Sequence, residues 1–469
     1  IYTFDAFTLD VRARLLTCDG AAVPLSGPSF DLLATLVAHP GELLPHQALL
    51  DAAWPNLSVT ANSLTQAILI VRRALGGRDY IETRARRGYR FVGPVVQQAR
   101  PVTRTPIEAQ LAAHRAFVEG RAALETLERG AIARTRVAFD EMVRQSPASA
   151  TAHVGLANAC ALQFELTRTD ALPDVATLQV ALHHAQQACE IEARYGEAWA
   201  TLGFVFERVG RRVDAQAALQ HAVELEPDNW RHHLRLAAAS WGEARLRAAR
   251  RTLGLMPGLS MAHWLAASVL VARQLLPAAA RELDVGLRQD GVPDGVTRFS
   301  GVALCWLRGL IALADDDGER AIGEFEHELA GEASGHLYAR ECAANTWYAI
   351  GATRLRQGDR DAAGQAFTEV LQRVPTHLLA QAALGHDRTQ PAQALAAASA
   401  IDEAIAHAVA RVAKGAAGGA DEARAVHAAL AAAPAGNAGW LLPVEPMLVV
   451  HRHREPWQSA LDLLITRAR

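Results

Sequence analysis

The chain has 469 residues, half of them apolar, and 47 basic residues against 50 acidic ones give a net charge of −3. This length predicts two or more domains with a sizeable core, and no apolar run reaches the roughly 20 residues of a membrane-spanning helix. The N-terminus lacks a signal-peptide pattern, and the cysteines form no Cys-x-x-Cys pair: Cys18, Cys160, Cys189, Cys305 and Cys342. The sequence therefore predicts a cytoplasmic protein with reduced thiols and no membrane partner.

The first 54 residues predict a small sheet followed by two short helices. Extended runs cover residues 2–7, 14–17 and 23–25, and Asp19-Gly20 is typical of a hairpin turn. Apolar residues recur with helical spacing over 29–38 and 46–54, and Pro40-Gly41 and Pro55-Asn56 end the two segments.

A third helix follows, and its two faces differ in character. Thr60 is a plausible N-cap and Gly76-Gly77 a stop signal, and an apolar stripe predicts the buried face: Leu64, Ile68, Val71 and Leu75. Asn62, Gln66 and Arg73 lie roughly opposite, flanked by Ser63, Leu69 and Ile70. Asn, Gln and Arg can form paired hydrogen bonds to base edges in the major groove. A merely solvated face would show the same pattern.

An arginine-rich hairpin favours the nucleic-acid interpretation. Residues 80–83 and 89–92 predict two strands, with Arg84, Arg86 and Arg87 at the tip and Gly88 in the turn. Between Arg72 and Arg90 seven arginines face only two acidic residues, whereas the chain as a whole is mildly acidic. Such a local excess predicts an anionic partner, and double-stranded DNA is the one that a helix and hairpin of this size fit.

In this order of elements the sequence resembles the OmpR/PhoB-type winged helix-turn-helix family. The motifs that carry the resemblance are Phe30-Asp31-Leu32-Leu33, Leu49-Leu50-Asp51-Ala52-Ala53-Trp54-Pro55, Asn62-Ser63-Leu64-Thr65-Gln66, Arg72-Arg73-Ala74-Leu75-Gly76, Tyr80-Ile81-Glu82-Thr83 and Arg87-Gly88-Tyr89-Arg90-Phe91. The resemblance implies that the third helix enters the major groove, that Thr83 and Tyr89 lie near phosphates and that the hairpin, or wing, reaches the minor groove. It also implies an RNA polymerase contact at Trp54, Asn56, Leu57 and Ser58. Leu69 and Ile70 depart from the family, whose members often have polar or basic residues there.

Beyond residue 108 the pattern becomes helical and repetitive. Residues 96–108 are predicted as a linker between a winged-helix domain, 1–95, and a repeat domain, 109–469, whose part from 377 on is divergent and ends in a cap. One repeat copy contains Trp199, Leu202, Gly203, Phe206, Ala215, Leu219, Ala222 and Pro227, and another contains Trp347, Gly351, Ala363, Phe367 and Pro375. This spacing resembles the tetratricopeptide repeat. The predicted fold is thus mainly α, a small α+β domain followed by an α-helical solenoid with a concave surface.

No catalytic, cofactor or metal site is predicted. The chain has no phosphate-binding loop, and its single lysine is Lys414. The pairs His183-His184 and His232-His233, and His451 with His453, are interpreted as helix-surface residues, because adjacent histidines on a helix diverge by about 100°. Asp315-Asp316-Asp317-Gly318 lacks the ligand spacing of a calcium loop and is predicted to be an interhelical turn.

A basic cluster in the repeats has two interpretations. Arg231, Arg235 and Arg247 are predicted either to pair with neighbouring glutamates on a solvated face or to form an effector surface for an acidic peptide or an anionic metabolite.

Together these features predict a transcriptional regulator rather than an enzyme. Its winged helix would bind promoter DNA, and its repeats would bind a protein or small-molecule effector or mediate oligomerisation, including a homodimer on direct-repeat operators. A ligand-responsive repressor is one variant of this prediction. The alternative from another class is a non-catalytic adaptor that uses both domains for protein interaction, which the apolar Leu69 and Ile70 would suit.

Overall fold

The computed structural model describes residues 1–11, 13–54, 61–85, 87–97, 120, 122–289, 301–386, 399–415 and 419–469. The first part is a small α+β domain. Its helices are α1 (Gly27–Ala38), α2 (His46–Ala53) and α3 (Ala61–Ala74). Its strands are β1 (Tyr2–Phe4), β2 (Phe7–Asp10), β3 (Leu15–Cys18), β4 (Ala21–Val23), β5 (Leu43–Leu44), β6 (Ile81–Arg84), β7 (Gly88–Phe91) and β8 (Val96–Gln97).

Two antiparallel sheets enclose the three helices. The first has the strand order β4-β3-β2-β1-β8 and the second the order β5-β7-β6. The predicted run 2–7 is wrong as a single strand, because Asp5 adopts a left-handed φ of 46° and turns the chain between β1 and β2. The hairpin at Asp19-Gly20 is confirmed by pairing of Cys18 with Ala21. Residues 96 and 97 of the predicted linker form β8, and residues 98–108 lie outside the described part.

The predicted buried stripe of α3 is confirmed. Leu64, Ile68, Val71 and Leu75 are at most 1 % exposed and pack with α1 and the aromatic residues of the sheets. The helix ends where Gly76 and Gly77 take positive φ angles of 71° and 72°, and the Gly77 amide donates back to the Arg72 carbonyl. This apolar backing fixes which face of α3 is left for a partner.

The rest of the described chain is an array of antiparallel helix pairs. The bounds are α4 (Arg129–Gln145), α5 (Ala150–Thr167), α6 (Val175–Ile191), α7 (Gly196–Arg208), α8 (Arg212–Leu225), α9 (Trp230–Ala239), α10 (Gly242–Leu255), α11 (Ser260–Ala272), α12 (Leu276–Gln289), α13 (Leu304–Ala314), α14 (Gly318–Ala330), α15 (Ala339–Arg356), α16 (Arg360–Arg373), α17 (Leu378–Leu384), α18 (Ala400–Ala413), α19 (Ala420–Ala432) and α20 (Arg454–Arg467). The predicted solenoid architecture is confirmed. Asp315–Gly318 is the turn between α13 and α14, with the Asp317 side chain capping α14.

Glycines let the helices of a pair approach closely. A Cβ at Gly203, Gly309 or Gly351 would lie 2.6, 2.3 or 2.6 Å from a side chain of the second helix, 16 residues later. The partners are Leu219, Phe325 and Phe367, all nearly fully buried. Gly203 and Ala215 of the repeat motif meet in this seam, because a Cβ at Gly203 would also lie 3.0 Å from the Ala215 carbonyl oxygen.

We expect Gly351→Ala to destabilise the array by about 1–3 kcal/mol, the usual cost of overpacking a filled core. Gly364→Ala on the facing helix is the matched control, since nothing lies within 4 Å of a Cβ there. Alanine lowers the conformational entropy of the unfolded chain relative to glycine, so that variant should be about 0.4–1 kcal/mol more stable than the wild type. Urea unfolding of both variants measures the difference, and equal changes of the same sign would contradict the seam.

A recurring hydrogen bond connects successive repeats. The Nε2 atoms of His153 and His233 lie 2.9 and 2.8 Å from the carbonyl oxygens of Pro147 and Pro227, six residues earlier. The Trp199 and Gln381 side chains bond in the same way to the carbonyls of Ala193 and Pro375. The placement of His232 and His233 on the surface is therefore wrong, since both are buried, at 0 % and 8 % exposure. Of the other predicted surface histidines, His183 and His453 are exposed, and His184 and His451 are half-buried.

His377 makes the stability of the array depend on pH. Its Nδ1 accepts from the Ala380 amide at 3.2 Å and caps α17, while Nε2 lies 3.1 Å from Asn345 Oδ1, so the ring is neutral. Burial lowers the pKa of His377 from 6.5 to about 4. A depressed folded-state pKa contributes stability above pH 6.5 that is lost as the pH falls towards 4.

We expect His377→Asn to keep the cap through an amide oxygen that does not titrate. The difference in folding stability between the wild type and this variant should therefore shrink as the pH falls from 6.5 to 4, and thermal unfolding at several pH values measures it. Parallel curves for the two proteins would contradict this role of His377.

The chain's own C-terminal part covers the first helices of three successive pairs. The nine residues 442–450 are all buried. Trp440 packs edge-on against Trp264 of α11, Val444 shares a core with Trp306 of α13, and Tyr348 of α15 donates to Glu445 Oε1 at 2.6 Å. Helix α20 then packs against α18 and α19, with Trp457 fully buried. The segment from residue 439 thus covers the first helices of these pairs, and its capping role stays a prediction.

Candidate nucleic-acid interface

The exposed face of α3 is polar with one apolar residue. Ser63 is half-buried, and Thr65, Gln66 and Arg73 are exposed. Leu69 is 40 % exposed between them, and Ile70 is half-buried. Asn62 belongs to α3, but its side chain lies outside the described residues. The face that the sequence predicts for base contacts is therefore free of the core, and Gln66 and Arg73 both lie on it.

Arg72 has a different position from its neighbour Arg73. Its Nη2 donates to the Ile81 carbonyl and to Thr83 Oγ1, both at 2.7 Å. These bonds connect the end of α3 to the first strand of the wing. Arg72 and Thr83, both predicted to contact DNA, are thus hydrogen-bonded to each other. Sequence reasoning missed this connection because the two residues are eleven positions apart and both types are common in DNA contacts.

The wing is a regular hairpin of β6 and β7. Ile81 pairs with Phe91, and Arg84 with Gly88. Arg84 is 54 % exposed and pairs with Glu82, whose other oxygen binds Arg90. Arg87 is exposed, and Arg86 lies outside the described residues. Since Glu82 offsets part of the charge of Arg84 and Arg90, Arg87 is the tip arginine in the described part of the wing with the fewest competing contacts.

Tyr89 and Gly88 connect the wing to the rest of the domain. The Tyr89 ring is 6 % exposed and lies 5.5 Å from the His46 ring at the start of α2. Tyr89 pairs with Leu44 across β5 and β7, and at Gly88 a Cβ would lie 1.9 Å from the Leu44 carbonyl oxygen. Close approach of two backbones, in addition to the turn, therefore requires glycine at position 88.

The predicted polymerase-contacting loop lies largely outside the described residues. Trp54 is 8 % exposed and packs in the core of the domain. Asn56, Leu57 and Ser58 are not described.

The three arginines predicted as an effector surface do not form one group of free side chains. Arg231 pairs with Glu125, and Arg235 pairs with Glu197 at 3.2 Å and with Asn158 Oδ1 at 2.9 Å. Both lie on α9, whereas the exposed Arg247 lies on α10. Glu125 belongs to the segment before α4, and Leu124 and Leu127 of this segment pack against Ile132, Leu162 and Leu337. The chain itself therefore covers part of this surface.

Metal-binding clusters and membrane-spanning helices are both absent from the described residues. No group of three or more His, Cys, Asp or Glu side chains there could hold a metal ion. No described helix is long and apolar enough to cross a membrane.

The described chain thus consists of a winged helix whose α3 exposes a mainly polar face, followed by tetratricopeptide-like helix pairs. The family described as "Transcriptional regulatory protein, C terminal" matches residues 20–91, so the N-terminal domain is an OmpR/PhoB-type winged helix, as the sequence predicts. The transcriptional regulator HilA of Salmonella typhimurium is 34 % identical over 103 residues, which are 21 % of this chain and only 18 % of that regulator.

Two solved structures are each similar to a part of the chain. The DNA-binding domain of Escherichia coli CadC is 27 % identical, with a TM-score of 0.20, and the match covers 21 % of this chain and 96 % of that one. PilF of Pseudomonas aeruginosa is 17 % identical, with a TM-score of 0.35, and the match covers 47 % of this chain and 91 % of that one.

Proposed function

We propose that this protein is a cytoplasmic, non-enzymatic transcriptional regulator whose winged helix binds promoter DNA and whose helical repeats receive the regulatory signal. The observation that carries the proposal is the division of α3 into a fully buried apolar stripe and an exposed face with Gln66 and Arg73. A helix of this kind can enter the major groove, where an amide side chain distinguishes adenine and a guanidinium distinguishes guanine.

The wing supplies the electrostatic part of the proposed DNA contact. Arg84 and Arg87 are exposed at the tip, and the undescribed Arg86 lies between them in the sequence. Arginines on such a hairpin bind phosphates or enter a minor groove, while the base contacts come from the helix. Asn62, Ser63, Thr83 and Tyr89 belong to the same proposed interface. Asn56, Leu57 and Ser58, which follow the buried Trp54, belong to a proposed RNA polymerase contact.

The repeats are proposed to bind an effector or a second copy of the chain. Leu124 and Leu127 already pack against α4 and α5, and the buried residues 442–450 cover α11, α13 and α15, so a peptide that binds these helices would have to displace them. An effector that binds at a cleft left open by these segments, or a homodimer formed through the outer helices, avoids that cost.

Salt-dependent DNA binding tests the proposal. We expect fluorescence anisotropy to show binding of the full chain to random duplex DNA at low salt, weakening steeply with salt as counterions are released. Arg84/Arg86/Arg87→Ala should weaken binding to every sequence, whereas Gln66→Ala should mainly reduce discrimination between promoter and random DNA. If the wild type and the triple variant bound equally, or if neither bound at low salt, the regulator proposal would fail.

An adaptor function is the second candidate, and Leu69 is the observation that favours it. This residue is 40 % exposed in the middle of the recognition face, where it could pack against a protein as well as against a thymine methyl group. Absence of DNA binding together with full thermal stability of the chain would support the adaptor.

A further inference from the structure

A cleft of about 410 Å³ opens where α4 meets the segment between α14 and α15 and the helices α15 and α16. Such a volume suits a small metabolite. Its lining residues are Arg129, Glu332, Gly335, His336, Ala339, Arg340, Glu369, Gln372 and Arg373. Backbone contacts hold the two sides together, because the Arg129 amide donates to the Gly335 carbonyl at 3.2 Å and Glu128 forms a β-bridge with His336. The cleft is thus a junction between parts of the chain about 200 residues apart.

Two of the three arginines in the cleft have carboxylate partners. Arg340 pairs with Asp170 at 2.6 Å and also donates to the Leu166 carbonyl and Thr169 Oγ1. Arg373 binds both oxygens of Glu332, at 2.7 and 2.9 Å, and one oxygen of Glu369 at 2.6 Å. Of the three carboxylates, Arg373 therefore binds Glu332 and Glu369, and Arg340 binds Asp170.

Arg129 is the arginine that this pairing leaves over. No ion pair or side-chain hydrogen bond joins it to another described residue, although it is only half-exposed. Partial burial lowers the pKa of Arg129, the nearby positive charge of Arg340 lowers it further, and the carboxylates of Asp170 and Glu332 offset part of this by raising it. Neither carboxylate forms an ion pair with Arg129, so a bound anion would give this guanidinium a direct partner.

His336 also lines the cleft, alongside the carboxylates and arginines, without adding a charge of its own. His336 is 4 % exposed, and its Nδ1 accepts from the Tyr338 amide at 3.2 Å. Burial lowers the pKa of His336 to about 4, so the ring is neutral near pH 7. Gln372 of α16 lines the cleft as well, is exposed and can donate a hydrogen bond to a ligand.

We propose that this cleft binds a small anion with a carboxylate or phosphate group, held by Arg129 with Arg340 beside it, and that this anion is the effector of the array. Planar guanidinium groups bind both kinds of oxyanion through paired hydrogen bonds. The proposed binding of an anion does not depend on the proposed regulatory function, whereas the proposed role of that anion as the effector rests on it. An anion here would strengthen the junction between α4 and the segment before α15.

Titration calorimetry of the full chain tests the binding part. Sodium phosphate and sodium succinate are titrated separately at constant ionic strength in chloride, and the one that binds saturably identifies the chemistry. We expect Arg129→Gln to weaken binding about tenfold or more, as loss of a charge-assisted contact does. Arg144→Gln is the control, an exposed arginine near the other end of α4 that pairs with Asp140 and Glu141 and should bind like the wild type.

A second variant keeps the test decisive if Arg129→Gln disturbs the fold. Gln372→Glu changes only an exposed side chain and places a negative charge at the cleft, so it should also weaken anion binding. Failure of both anions to bind saturably, or equal binding by the wild type, Arg129→Gln and Gln372→Glu, would overturn the site.

The effector part has its own measurement. DNA affinity of the wild type should change when the bound anion replaces chloride at equal ionic strength, and that of Arg129→Gln should not. Unchanged DNA affinity with intact anion binding would remove the effector role and keep the site. Absence of all DNA binding would instead sink the proposed regulator while the calorimetric result remained valid.

Discussion

Gly88→Ala should unfold the wing and abolish DNA binding. The new Cβ would lie 1.9 Å from the Leu44 carbonyl oxygen and 2.8 Å from its carbon, and both contacts are to backbone atoms that no side-chain rotation can move. Gly88 also has a φ of +142°, which an L-residue rarely adopts. Strain and overpacking together should cost about 3 kcal/mol or more, enough to separate β5 from β7. Hydrogen exchange of the β5 and β7 amides measures this opening, and anisotropy measures the loss of DNA affinity.

Gly77→Ala is the matched control for this prediction. Gly77 also has a positive φ, of 72°, but nothing lies within 4 Å of a Cβ there. Its variant should cost only about 1–2 kcal/mol of left-handed strain and keep the wing paired. Equal protection of the β7 amides in the two variants would show that the approach of Leu44 to Gly88 does not decide the stability of the wing.

Local patterns were sufficient to predict the winged helix. The stripe from Leu64 to Leu75 and the glycines that follow it place α3 and its end, because helix periodicity and left-handed glycines act over a few residues. The wing strands were also predicted to within one residue. Tyr2 to Phe7 was misread as one strand since nothing local announces that Asp5, a non-glycine residue, takes a positive φ.

Long-range partners were not predictable from such patterns. The sequence predicts His232 and His233 on the surface, but both are buried, where the Nε2 of each lies within hydrogen-bond distance of Glu226 or of the Pro227 carbonyl. Glu125 reaches Arg231 across 106 residues, so a basic cluster that looked free is partly covered. The cleft at Arg129 also depends on contacts between residues that are far apart in the sequence, which the spacing of residues does not predict. The assignment of individual DNA contacts stays a prediction.

Arg72 and Arg73 are adjacent at the end of α3, but replacing each by alanine should have different effects on folding stability and on the salt dependence of DNA affinity. Arg73 is exposed and has no described ion pair, so Arg73→Ala should change stability by less than about 0.5 kcal/mol. If it contacts DNA, its loss should reduce affinity about tenfold and lower the slope of log affinity against log salt by about 0.9 for a phosphate contact.

Arg72→Ala removes the connection between α3 and the wing. The Ile81 carbonyl and Thr83 Oγ1 each lose a 2.7 Å hydrogen bond from a charged donor, which should cost about 1–3 kcal/mol of stability. DNA affinity should then fall because the wing shifts relative to α3, and low temperature, which suppresses that motion, should restore part of it. Thermal unfolding and anisotropy on the same two proteins separate the roles. If Arg72→Ala were as stable as Arg73→Ala and lost affinity with the same salt slope, both arginines would be direct DNA contacts, and the bonds to Ile81 and Thr83 would not position the wing.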